Sequence, residues 1–100
     1  MYPLKFHREA EEEYLEALAY LDAESPGLGE RFEEAIQEGL EKIASNPQHY
    51  SITEQDFRQL VLKRFRYVIL FQFNEAEQYV YVGAVFHTSR DQKQKFRKPG

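Results

Sequence analysis

His87-Thr88-Ser89-Arg90-Asp91 follows directly on an apolar run, with Arg58, Lys63, Arg64 and Arg66 on or near neighbouring strand segments. A histidine beside fixed arginines can do acid–base work on a phosphodiester, while the guanidinium groups hold the non-bridging oxygens. Metal-free RNA cleavage by attack of a 2′-hydroxyl needs such a set, because negative charge grows on those oxygens in the transition state. Arg58, His87 and Arg90 are therefore the catalytic candidates, and Lys63, Arg64, Arg66 and Lys93 form a candidate basic surface. Spacing alone favours a quieter alternative, in which His87 bonds a nearby backbone group and Arg90 pairs with a helix glutamate.

Other chemistry finds less support. His7, His49 and His87 include no pair at metal-ligand spacing and no His-Glu-x-x-His string, so neither a metal nor a cofactor is expected. Pro26-Gly27-Leu28-Gly29 has no following Lys-Ser/Thr and reads as a helix-breaking turn, not a phosphate loop. Glu9, Glu11, Glu12, Glu13 and Glu16 read as a solvated helix face with some ion pairing. Cysteine is absent, which excludes disulfides, Fe–S clusters and thiol catalysis and fits a reducing cytosol.

The elements that must position these residues follow from periodicity. Leu4 to His7 alternates as a short strand behind Pro3. From Arg8, apolar Ala10, Tyr14, Ala17, Leu18 and Leu21 recur at helical steps until about Glu24. A second helix carries Phe32, Ile36, Leu40 and Ile43 and closes at Asn46-Pro47, because the residue before proline is pushed out of the α region. Gln48 to Asp56 is polar loop, and the period then becomes two. Strands are expected at Arg58–Leu62, Arg66–Asn74 and Tyr79–His87, with a hairpin loop over Asn74–Gln78. The order gives an α+β fold: an N-terminal strand and a helical hairpin packed on a C-terminal antiparallel meander. Strand order is left open.

Such packing leaves an apolar surplus. By parity Val68, Leu70, Val80, Val82, Ala84 and Phe86 share one face, and Tyr67, Ile69, Phe71, Phe73, Tyr79, Tyr81 and Val85 the other. Two helices cover only one face of a small sheet. Either the tail, or twist and loops, hide part of the second face, or a partner chain covers it; the partner is favoured, since exposed apolar patches usually mark interfaces. Tyr67, Phe71, Tyr79 and Tyr81 are the expected partner contacts.

Composition agrees with one soluble domain. The chain has 100 residues, 42% of them hydrophobic and 15% aromatic, with net charge −4. Residues 1–50 hold 12 acids and 4 bases, residues 51–100 hold 5 acids and 9 bases. Overall acidity argues against a general nucleic-acid coat, yet the second half keeps a local basic site. No secretory signal is visible at the start, and Val68 to Phe73 is far too short to span a bilayer.

The ordered pieces resemble the RelE/ParE toxin superfamily, on its ParE-like, plasmid-stabilisation branch. They are Phe6 to Ala10, Pro26-Gly27-Leu28-Gly29 with Phe32 and Ile36, Ile43-x-x-Asn46-Pro47, Arg58 to Leu62, Arg64 to Ile69 and Val85-Phe86-His87-x-x-Arg90-Asp91. The resemblance implies a bacterial type II toxin with a cognate antitoxin, and as target either DNA gyrase (ParE-like) or ribosome-bound mRNA (RelE-like). It also leaves a degenerate, non-toxic RNA- or protein-binding module as an alternative. Against the RelE-type site, Arg58 fills one basic position and Leu60 stands where a second lysine is expected. Tyr67 replaces an arginine, Arg90 matches the transition-state arginine, and Phe96 falls near a catalytic tyrosine.

Overall fold

A computed structural model of the chain describes residues 1–90 and Arg97. Its elements are β1 (Leu4–Phe6), α1 (Arg8–Glu24), α2 (Leu28–Ser45), β2 (Arg58–Leu62), β3 (Tyr67–Asn74) and β4 (Tyr79–His87). The sheet order is β1-β4-β3-β2, with β1 parallel to β4 and the other two pairings antiparallel. The expected α+β arrangement is therefore the observed one, and the parallel β1 makes the sheet mixed.

His7 does not extend the first strand. It is the N-cap of α1, where its Nδ1 accepts the Glu9 N–H at 3.1 Å, satisfying a donor that the helix start leaves without an intrahelical partner. Gly27 caps α2 with a left-handed φ of 84° and has no capping side chain of its own. Asp22 supplies the missing acceptor from the preceding helix, taking the N–H groups of Gly27 at 3.2 Å and Gly29 at 3.3 Å. Asp22→Ala should therefore lower stability by about 1 kcal/mol, the usual cost of a lost cap. Urea melts of the two proteins measure it, and an unchanged midpoint would contradict the assignment.

Both helices pack on one sheet face. Ala10 and Ala17 of α1 and Phe32, Ile36, Leu40 and Ile43 of α2 meet Ile69, Phe71, Val80, Val82 and Val85 there. Phe32 is fully buried, with the Phe65 ring at 5.3 Å and the Tyr67 ring at 5.0 Å between centroids. These edge-on contacts add to the burial of large rings. They also anchor the β2–β3 hairpin and its basic residues to the core.

The parity reading of β4 needs correction. Leu70 pairs with Ala84 but Phe71 pairs with Val82, so Gly83 is an extra residue in the ladder. A bulge reverses which side chains face which side. Val80 and Val82 therefore join the helix side, whereas Tyr79 and Tyr81 join Val68, Leu70, Ala84 and Phe86 on the opposite side. Phe71 is fully buried beneath the helices, so its expected place on a partner-facing surface beside Tyr79 and Tyr81 is not the observed one.

The opposite face is not open either. Val68, Leu70, Tyr81, Ala84 and Phe86 are each at most 5% exposed in the chain alone. Phe57 lies over them, fully buried, at the end of the loop that reads as merely polar. A Cβ on Gly83 would stand 2.9 Å from the Phe57 ring and 3.1 Å from the Arg97 carbonyl oxygen. Phe57 and Arg97 thus lie against this face, and its buried residues need no partner chain to cover them.

Candidate functional site

The β2–β3 hairpin, the end of β4 and one side of α1 meet at a single corner of the sheet. Leu62 pairs with Tyr67 and Tyr67 with His87, which brings Lys63 to Arg66 beside the end of β4. The Thr88 N–H donates to the Arg66 carbonyl at 2.8 Å and ties the two together. Arg66 itself takes a left-handed φ of 59°, unusual outside glycine, to close the turn. Lys63, Arg64 and Arg66 are exposed and make no ion pair among the described residues. Arg64 reaches back over the Phe65 ring, 5.7 Å from its centroid.

Beside this rim runs a groove of about 510 Å3, lined on one wall by Glu13, Glu16 and Tyr20 of α1 and on the other by Tyr67, His87, Ser89 and Arg90. The Tyr67 phenol is pushed above its ordinary range by burial, against an opposing pull from the Arg90 guanidinium, with Tyr20 adding to the rise. It therefore serves as a neutral hydrogen-bond donor at physiological pH. The His87 ring packs edge-on to Tyr67 at 5.3 Å. Its Nδ1 accepts the Ser89 N–H at 3.1 Å and lies 2.9 Å from the Ser89 Oγ. With Nδ1 occupied as an acceptor, the neutral ring carries its proton on Nε2. In that state it offers a donor to the groove and no free lone pair. The quieter expectation for His87, a bond to nearby backbone, is the observed one.

Arg58 lies elsewhere. It pairs with Phe71, four residues along β3 from Tyr67, which sets it about 16 Å from His87 between Cα atoms at ordinary strand spacings. Its guanidinium donates to the carbonyls of Tyr50 and Gln48. The structure thus brings His87 and Arg90 together with Tyr67 and the hairpin cations, and leaves Arg58 out as a brace for the preceding loop. Arg58→Gln should cost about 1.5–3 kcal/mol, as for hydrogen bonds to a charged group, and leave binding at the groove unchanged. Chemical denaturation and a binding titration on the same sample separate the two effects. Lys93 and Phe96 lie outside the described residues.

One residue that sequence reasoning passed over is central. Arg97, not Arg90, makes the expected pair with helix glutamates. Its Nη1 and Nη2 donate to the two carboxylate oxygens of Glu13 at 3.0 and 2.9 Å, and its Nε stands 2.6 Å from Glu9. Hydrogen bonding to Glu13 raises the guanidinium's pKa still further above its ordinary value, against the cost of burial. No local signal links positions 13 and 97, though the concentration of bases in the tail is a weak one. Among the described residues no helix is long and apolar enough to cross a membrane.

This architecture is that of the RelE toxins. The isolated E. coli RelE toxin superposes with a TM-score of 0.68 at 19% identity, covering 92% of this chain and 89% of that one. The intact E. coli RelBE toxin–antitoxin complex gives 0.70 at 19% identity, covering 90% of this chain and 100% of that one. At the sequence level, the ParE toxin family of type II toxin–antitoxin systems (parDE) matches residues 4–92, and the chain belongs to that family. Comparison with curated proteins gives no match. The protein is thus a toxin of the type II toxin–antitoxin class.

Proposed function

We propose that the chain acts in the bacterial cytoplasm by binding DNA gyrase and holding its cleaved DNA complex, and that a cognate antitoxin neutralises it. The observation that carries this reading is the dispersal of the nuclease set. Arg58 is braced against loop carbonyls far from His87, Leu60 packs into the helix-side core, and His87 Nδ1 is taken up by the Ser89 N–H. What remains at the corner is a rim of cations that make no ion pair among the described residues, beside aromatic rings. That equipment suits holding the phosphates of a protein–DNA complex better than moving protons. The antitoxin follows from family membership and from the RelBE complex among the similar structures.

Purified protein should increase gyrase-dependent DNA cleavage and inhibit supercoiling, and addition of the antitoxin should reverse both. Unchanged supercoiling and cleavage at concentrations that arrest growth would remove gyrase as the target. The second reading, ribosome-dependent mRNA cleavage, draws on the one feature that favours it: His87 and Arg90 share a groove. It predicts new transcript ends in a translating extract and their loss in His87→Ala and Arg90→Ala.

A further inference from the structure

The sheet order ends on β2, so one edge of that strand has no neighbouring strand. In an antiparallel pair, alternate residues turn their N–H and C=O toward the partner strand, and those between turn both groups outward. Phe57 faces away from β3, because its carbonyl accepts the Thr53 N–H at 2.6 Å from the preceding loop. By alternation Gln59 and Val61 face outward too. The loop crosses this edge only at the isolated Ile52–Arg58 bridge. Beyond it the Gln59 carbonyl and both backbone groups of Val61 meet no strand among the described residues. From Gln59 to Leu62 there is no proline, charge or bulge, the usual guards against pairing at an edge.

The edge opens on a groove of about 670 Å3 between β2 and α2. Its floor is apolar. Leu60 and Leu62 turn toward the helices, and Gly39 lets α2 come close: a Cβ there would stand 3.3 Å from Leu60 and 3.5 Å from Leu62. The hairpin end of the groove, where Phe32 of α2 meets Phe65, is cationic. Arg31, Lys63 and Arg64 line it against Glu34, and none of the three cations makes an ion pair among the described residues. A strand laid along Val61 would set one row of side chains on Leu60 and Leu62, the other beside Val61 and Lys63.

We propose that the free edge of β2 takes an extended acidic peptide segment of another protein. The segment pairs with the backbone of Val61 and sets its carboxylates against Lys63 and Arg64. Charge argues against a second copy of this chain as the occupant. Antiparallel pairing of two copies about Val61 sets Arg58 opposite Arg64 at both ends, and like charges directly opposite destabilise a sheet. The edge groove shares only Phe65 with the groove of His87 and Arg90, so this inference goes beyond the gyrase reading and stands without it.

A fluorescein-labelled hexapeptide of alternating valine and glutamate reads the edge by anisotropy. At low salt it should bind below about 1 mM, and the matching valine–lysine peptide at least about tenfold more weakly. Val61→Pro removes the outward N–H without costing a bond to β3, so the variant should fold and lose at least about tenfold in affinity. Lys63→Gln with Arg64→Gln should weaken binding about three- to tenfold. In the unaltered chain, saturating peptide should slow hydrogen exchange at the Val61 amide about tenfold or more. No binding, equal binding of the lysine peptide, or full affinity in Val61→Pro overturns the proposal. If Val61→Pro does not fold, exchange at the Val61 amide decides, and an unchanged rate overturns it. Sedimentation should show a monomer. A dimer with the Val61 amide already protected gives the edge to a second copy and overturns the acidic occupant.

Discussion

Reversing two charges at the basic corner, Lys63→Glu on the hairpin and Arg90→Glu in the groove, is expected to abolish growth inhibition while the protein stays folded. Both side chains are exposed and make no ion pair among the described residues, so their reversal breaks no ion pair there. Each reversal changes the local charge by two units. At about 8 Å from a bound phosphate, with dielectric screening between that of water and a protein surface, each unit is worth about 1 kcal/mol or somewhat less. The four units together weaken binding by about a hundred- to a thousandfold, depending on salt. Exposed substitutions of this kind move stability by about 0.5 kcal/mol each, so the melting temperature should shift by no more than about 8 °C. Growth curves after induction, paired with thermal melts, make the measurement. A folded double variant that still arrests growth would mean that the target contacts another surface.

The second large effect concerns folding. Phe57→Ala should cost about 3–5 kcal/mol, the usual range for removing a buried phenylalanine ring. Small domains hold only about 5–15 kcal/mol in all, so the melting point should fall by at least about 12 °C. Phe57 is fully buried and closes the sheet face of Val68, Leu70, Ala84 and Phe86. Its backbone is pinned by three bonds: Phe57 N–H to Glu54 O at 2.9 Å, and Thr53 N–H and Oγ to Phe57 O at 2.6 and 3.0 Å. The ring therefore cannot easily be replaced by a neighbour sliding in. The variant should also bind a hydrophobic dye as that face opens. Ile52→Ala, which removes a side chain 55% exposed in the same loop, is the control and should melt near the unaltered chain. A drop of less than about 5 °C for Phe57→Ala would show that other segments hold the face closed.

Both helices, all four strands and the helical hairpin were legible, because each rests on a repeat of two or 3.6 residues within one short window. Where a local rule was interrupted, legibility ended. Gly83 adds one residue to β4 and inverts the parity on which the assignment of Val80, Val82, Tyr79 and Tyr81 depends. Phe57 is a lone aromatic after a polar stretch, and no period marks it as core. Asp22 reads as one more acid on a solvated helix, although its acceptor faces the start of the next helix.

The basic corner was half legible for the same reason. Lys63, Arg64, Arg66, His87 and Arg90 cluster because antiparallel pairing puts a hairpin turn beside the end of the following strand, which the strand lengths imply. Arg58 seemed to belong with them, yet its register places it toward the other end of the sheet. Distance along a strand is invisible until the pairing is known.

The opening candidates therefore divide by the range of the forces that place them. Residue types and their local spacing determined the elements, the family and the chemical character of the His87–Arg90 turn, since propensity and amphipathic pattern act over a few residues. The tertiary structure alone decided that His87 Nδ1 is engaged by the Ser89 amide, that Arg58 is a brace, and that Arg97 meets Glu13 across 84 positions of chain. Such contacts depend on where folded surfaces meet, and no local pattern encodes that.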